Sequence, residues 1–160
     1  MSIMPGALVD YAAFREFCSS RTASPLLWRW QDILPLLNSN MGNQRGLVAL
    51  ATDDSAAAGE LQPGISAAIQ LVPPGTQTES HGHSWWHLYL VLAGEGFYHD
   101  AAAQDPAPLC AHDILLIPAN NHHQFLNPGR SPLLLLNLSN IAQQSLFSNF
   151  VQSTAVTAET

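Results

Sequence analysis

The sequence predicts an all-β domain, a sandwich or barrel of antiparallel strands, with short helices before it and one after it. Three observations carry this. From Leu47 onward the apolar residues fall into runs of four to eight residues, too short for helices. The runs are separated by turn-forming residues, including Pro73-Pro74-Gly75, Gly94-Glu95-Gly96 and Asn127-Pro128-Gly129. Before Leu47 the apolar residues instead recur at helical spacing, and 160 residues suffice for one domain with a real core.

Taken in order, Leu8 to Cys18 places Leu8, Tyr11, Ala12, Phe14 and Phe17 on one helical face. Ser24-Pro25 reads as a helix start, serine capping and proline in the first turn, and Leu27, Trp30, Leu34 and Leu37 continue a related stripe. Pro35 is expected to bend or end that helix. Trp28 and Trp30 are expected to pack in the interior, since large aromatics dominate buried area in small domains. The strands follow as Leu47–Ala51, Ile65–Val72, Leu88–Leu92, Gly96–His99, Ile114–Ile117 and Pro132–Leu138. Ile141, Leu146, Phe147 and Phe150 support a last helix, with a frayed end. The chain therefore divides into a helical extension (1–45), a β-barrel (46–140) and a C-terminal helix or tail (141–160).

Composition narrows the partners. There is no lysine, and five arginines face twelve carboxylates for a net charge of −7. Nucleic-acid binding, which needs cations against phosphates, is disfavoured, and a small molecule is the expected partner. No apolar run approaches the roughly 20 residues that cross a bilayer, and Met1 to Asp10 lacks a secretory pattern. The expectation is a cytoplasmic protein without membrane contact, in which Cys18 and Cys110 stay reduced thiols. A surface poor in charge beside 47% hydrophobic residues implies cover by a second subunit, a homodimer.

Five of the seven histidines fall in two clusters, His81-Gly82-His83-Ser84-Trp85-Trp86-His87 and His122-His123. In an extended segment His81 and His83 share a face, and His87 follows across an expected bend at Ser84 to Trp86. Imidazole is the commonest neutral metal ligand, so a divalent metal centre is the leading expectation.

The motifs around these clusters resemble those of the cupins. The first reads Gly75, five residues, His81-Gly82-His83, three residues, His87 where a glutamate is expected, six residues, Gly94. The second reads Pro118-Ala119-Asn120-Asn121-His122-His123-Gln124-Phe125-Leu126-Asn127, with Asn120 in place of a turn glycine. The resemblance implies a jelly-roll β-barrel and makes His123, not His122, the third histidine ligand beside His81 and His83. His122, its neighbour on a strand, then points to the other face. Leu27 to Asp32, Ala68 to Gly75 and the non-acidic residue at position 87 are similar to gentisate 1,2-dioxygenases and related ring-cleaving cupins. Those enzymes usually carry two cupin units and three histidines on iron(II).

His81, His83 and His123 would hold one side of the ion and leave the other for substrate or dioxygen. Neutral ligands leave the ion its full charge, which favours phenolates, enolates or hydroxy acids. His87 is read as a fourth ligand, or as an acid or base acting with Tyr89. Trp85, Trp86, Tyr89 and Phe125 form an expected aromatic wall, Gln70 an inward polar contact, and Arg45 the one available donor for a carboxylate from the first part of the chain. The expected activity is an iron(II) dioxygenase for a small phenolic or enolic substrate. Manganese, nickel, zinc or copper are alternative metals. A non-redox lyase, decarboxylase or isomerase is the second reading, and a non-catalytic ligand or metal binder the third.

Overall fold

Asp10 caps the first helix: its carboxylate accepts the amides of Ala12 at 3.0 Å and Ala13 at 3.1 Å. In this computed structural model the described residues are 8, 10–20, 25–39, 46–52, 60–145 and 152–154. Ser24, Arg45, Leu146, Phe147 and Phe150 lie outside them, as do the side chains of Phe14, Phe17 and Cys18.

Helix α1 covers Tyr11–Ser20 and α2 covers Trp30–Ser39. The second helix thus begins five residues beyond Pro25. Its first turn closes on the carbonyl of Arg29, which accepts the amides of Asp32 and Ile33, while the Trp28 indole donates to Ala51 O at 3.0 Å and ties the preceding segment down. Pro35 sits inside the helix without ending it. A mid-helix proline costs about 3 kcal/mol. Burying Ile33 and Leu37 against the sheet returns roughly 1.5–3 kcal/mol each, enough to hold the helix through it. The expectation that Trp28 and Trp30 are interior fails: they are 36% and 44% exposed, because Ile33 and Leu37 take the sheet-facing side.

Eleven strands among the described residues form two sheets. They are β1 Leu47–Leu50, β2 Ser66–Val72, β3 Thr76–Gln77, β4 His81–His83, β5 His87–Ala93, β6 Glu95–Asp100, β7 Ala107–Cys110, β8 Ile114–Ile117, β9 His123–Asn127, β10 Leu133–Ser139 and β11 Gln152–Thr154. One sheet runs β1-β2-β10-β5-β8 and the other β11-β4-β9-β6-β7, with β3 paired to β9; every pairing is antiparallel. Gly94 makes the tight turn from β5 to β6 at φ 82°, where an added Cβ would collide with the Pro132 carbonyl. The short helix α3 is Ile141–Ser145. In the stretch read as a tail, β11 pairs with β4, so the strand carrying His81 and His83 is flanked on both sides.

Two apolar clusters follow from strand alternation. Val72, Tyr89, Val91, Leu109, Ile117, Phe125, Leu133 and Leu135 fill the space between the sheets. Ile33 and Leu37 of α2 join Leu50, Ala67, Ile69 and Leu71 on the outer side of the five-stranded sheet. The interior between the sheets is apolar at one end and, from Gln70, Asn137 and Ser139 onward, polar at the other. That polar end holds the histidines.

Candidate metal centre

The i, i+2 spacing on β4 puts His81 and His83 on one face, and register does the rest, because His81 lies opposite His123, the first residue of β9. The bend at Ser84 and Trp85 turns the chain into β5, where His87 comes first. That bend is held by Asn140, whose side-chain oxygen accepts the Trp86 amide at 3.0 Å. The two histidine clusters are stitched together where the Asn120 amide donates to His83 O at 2.7 Å, with Asn120 in the left-handed region at φ 64°. All four histidines are buried, and one nitrogen from each of His81, His83 and His123 lies within 4.8 Å of the others.

The Nδ1 atoms decide what these rings offer. His81 Nδ1 donates to Glu79 O at 2.9 Å, His83 Nδ1 to Trp85 O at 2.8 Å and His123 Nδ1 to Asn121 O at 3.0 Å. His87 Nδ1 donates to Asn137 Oδ1 at 2.7 Å. Every partner is a carbonyl oxygen, which only accepts, so each Nδ1 carries the proton and each Nε2 is the unprotonated nitrogen. Nε2 of His87 and Nε2 of His83 then face each other at 2.9 Å. Two lone pairs at that distance repel unless a cation lies beside them. A shared proton is a poor one near neutrality: burial first, and the neighbouring His123 second, lower His83 to about 3, while burial and then His83 lower His87 to about 3. The donor set therefore fits a divalent metal ion, with His81, His83 and His123 as its compact group and His87 adjoining through His83.

A cavity of about 380 Å³ opens on this cluster. Its wall includes His81, His87, Trp85, Tyr89 and Gln70, with Asn137, Ser66 and Ser139 adding neutral polar groups and Ala49, Ala67 and Ala68 leaving room. The Trp85 indole is stacked on His83 at 4.0 Å and 5°. Tyr89 lies beside His87, ring centres 5.3 Å apart. Phe125 stands behind Tyr89 in the apolar core, edge-on at 4.8 Å, and is not part of the cavity wall. Trp86 is half-buried and also outside that wall, and Arg45 lies outside the described residues. Asn137 and Ser139 are the site residues the strand reading missed. Their signal is visible in retrospect: the inward positions of β10 run Leu133, Leu135, Asn137, Ser139, and the change from apolar to polar marks where core becomes cavity.

A family model described as a cupin domain matches residues 68–139, which hold both histidine clusters, most of β2 and all of β3 through β10. The oxalate-binding protein of Thermotoga maritima is 30% identical over 109 residues, 68% of this chain and 88% of that protein. This chain is a cupin. A gentisate 1,2-dioxygenase from a Streptomyces species is 28% identical over 122 residues, covering 72% of the cupin but 34% of that enzyme. The salicylate 1,2-dioxygenase of Pseudoaminobacter salicylatoxidans, solved as adducts with gentisate, superposes with a TM-score of 0.71 at 20% identity, over 90% of the cupin and 42% of that chain. The cupin thus spans about a third of the first enzyme's length and under half of the second's. At that identity the structural likeness shows the jelly-roll fold. Among the described residues no helix is long and apolar enough to cross a membrane.

Proposed function

We propose that this cupin is a metal-dependent dioxygenase, iron(II) its metal, acting on a small phenolic or enolic substrate. The observation that carries the metal is the set of four Nδ1 anchors, which turns four unprotonated Nε2 atoms into one cluster, with His81 and His87 on the wall of a cavity of about 380 Å³. His81, His83 and His123 would hold the ion, with His87 as the fourth donor. When bound, iron(II) supplies the path by which a chelated, electron-rich substrate and dioxygen exchange electrons.

The chain's own residues do the rest. Trp85 offers a flat face for a planar ring, and its stacking keeps the His83 imidazole from rotating. Tyr89 places a phenol on the wall beside His87, in position to give or take a proton. Gln70 and the Asn137 amide orient oxygen atoms of the substrate, and the apolar core below them keeps bulk water out. The similarity to gentisate and 5-nitrosalicylic acid 1,2-dioxygenases supports this choice of chemistry.

Oxygen uptake by protein loaded anaerobically with iron(II), over a panel of hydroxybenzoates, catechols and 1,3-diketones, is the test. Uptake matched to substrate loss is expected. Substrate loss without oxygen uptake transfers the proposal to a lyase, decarboxylase or isomerase. Binding without turnover supports the non-catalytic reading, which the Thermotoga oxalate-binding protein, matched over 88% of its length, specifically favours.

We also propose a homodimer. Leu88 and Leu90 of β5 pair in register with Leu116 and Ile114 of β8, on the outer side of the sheet and beyond the cluster under α2. Ile114 is 71% and Leu116 61% exposed at the sheet's edge strand, an apolar pair suited to a second copy.

A further inference from the structure

The turn that delivers His123 is gripped from β6 by two side chains outside the histidine cluster. Asp100 stands opposite His123 in the β6–β9 register. One of its carboxylate oxygens accepts the Ala102 amide at 2.8 Å, and the other accepts the Asn121 side-chain amide at 2.7 Å. From the other side the Tyr98 hydroxyl donates to Asn121 Oδ1 at 2.8 Å. Both ends of the Asn121 side chain are thereby fixed, and the backbone carbonyl of Asn121 is the acceptor for His123 Nδ1–H at 3.0 Å. The Tyr98 ring also lies beside that of His123, with centres 6.5 Å apart and planes 30° apart.

We infer that Asp100, Asn121 and Tyr98 are positioning residues for the third histidine. The chain of contacts runs carboxylate, side-chain amide, peptide carbonyl, imidazole, and its product is a tautomer. With the Asn121 carbonyl held in place, the His123 proton stays on Nδ1 and the Nε2 lone pair faces His81 and His83. Freed, the turn lets the carbonyl rotate away, and the ring gains the other tautomer and a second orientation. Outer partners of this kind change metal affinity by about 10–100-fold. His81 and His83 take their Nδ1 acceptors from backbone close to β4 itself, at Glu79 and Trp85. The His123 acceptor sits on a turn clamped by two side chains of another strand, β6.

The inference rests on the metal reading above, and its test separates the two. Asp100→Asn removes the charge at nearly unchanged size, and Asn121→Ala removes the link; both are measured, so that a folding defect in one leaves the other. Metal-free protein is first examined by long-range ¹H–¹⁵N spectra of the histidine rings. Wild type should show His123 protonated on Nδ1, and the variants a mixture. Cobalt(II) affinity by chelator competition should then fall 10–100-fold, with altered visible absorption at saturation. A folded variant with the wild-type tautomer, and with cobalt affinity and spectrum unchanged, overturns the inference. If wild type binds no cobalt the metal reading fails, and the tautomer spectra alone then decide whether the clamp acts on His123.

Discussion

The ring of His122 occupies the space that Gly82 leaves open between His81 and His83: a Cβ on Gly82 would lie 2.6 Å from His122 Cδ2. The second histidine cluster thus backs the first with the His122 ring, while His123 joins the compact group. Gly82→Ala should destabilise the protein by roughly 1–3 kcal/mol, since the ring must move to admit a methyl group. His122→Ala should cost less, and the double variant should recover most of the loss. Urea denaturation of the four proteins measures this coupling. Additive effects would mean that the two residues do not share the space.

Removing a ligand imidazole should empty the site and leave the fold standing. His81→Ala, His83→Ala and His123→Ala are each expected to lose most bound metal, by metal analysis, while circular dichroism stays that of an all-β protein. A variant with full occupancy removes its residue from the ligand set.

His87 separates two roles. As fourth donor, its loss in His87→Gln should weaken metal binding by more than the 10–100-fold typical of an outer partner. As an acid or base, the same variant should keep the metal and lose turnover. His87→Glu, which adds a carboxylate to the ligand set, should shift preference towards manganese and iron and away from copper and zinc. Competition titrations with each metal decide.

Acid should destabilise the metal-free protein well above the carboxylate range. His83 and His87 are held neutral, with folded values of about 3 against 6.5 unfolded. Between those limits the unfolded chain binds more protons, so their contribution is complete above pH 6.5 and is lost as pH falls towards 3. The slope is at most about 1.4 kcal/mol per pH unit for each ring. Denaturation midpoints at pH 7, 5.5 and 4.5, chosen to span that window, should fall in order, and His87→Gln should flatten the decline. A midpoint that stays level would show that neither ring is held neutral by the fold.

Breaking the apolar edge should split the proposed dimer. Ile114→Glu places a carboxylate on the exposed β8 face, where two copies of a chain with net charge −7 would each bring one more negative charge. Light scattering at micromolar concentration should give twice the chain mass for wild type and the single mass for the variant. A wild type of single mass refutes the dimer.

The sequence alone determined the class of fold and the compact histidine group. Strand lengths and turn residues are local, and so is the alternation that puts His81 and His83 on one face of β4. Capping is local too, but it competes with packing: Ser24-Pro25 looked like a helix start, and α2 begins at Trp30 because burial of Ile33 and Leu37 sets the helix's place on the sheet. Only the tertiary structure decided what surrounds the histidines. Asn137 reaches His87 across 50 residues, and Asn121 is clamped by Asp100 and Tyr98 from 21 and 23 residues away. Such pairs follow from strand register, which is set by the whole sheet and leaves no periodic trace in the chain. For the same reason Phe125 went to the core and Ser139 to the cavity wall: alternation tells that a residue points inward, and the position along the barrel axis tells what it meets there.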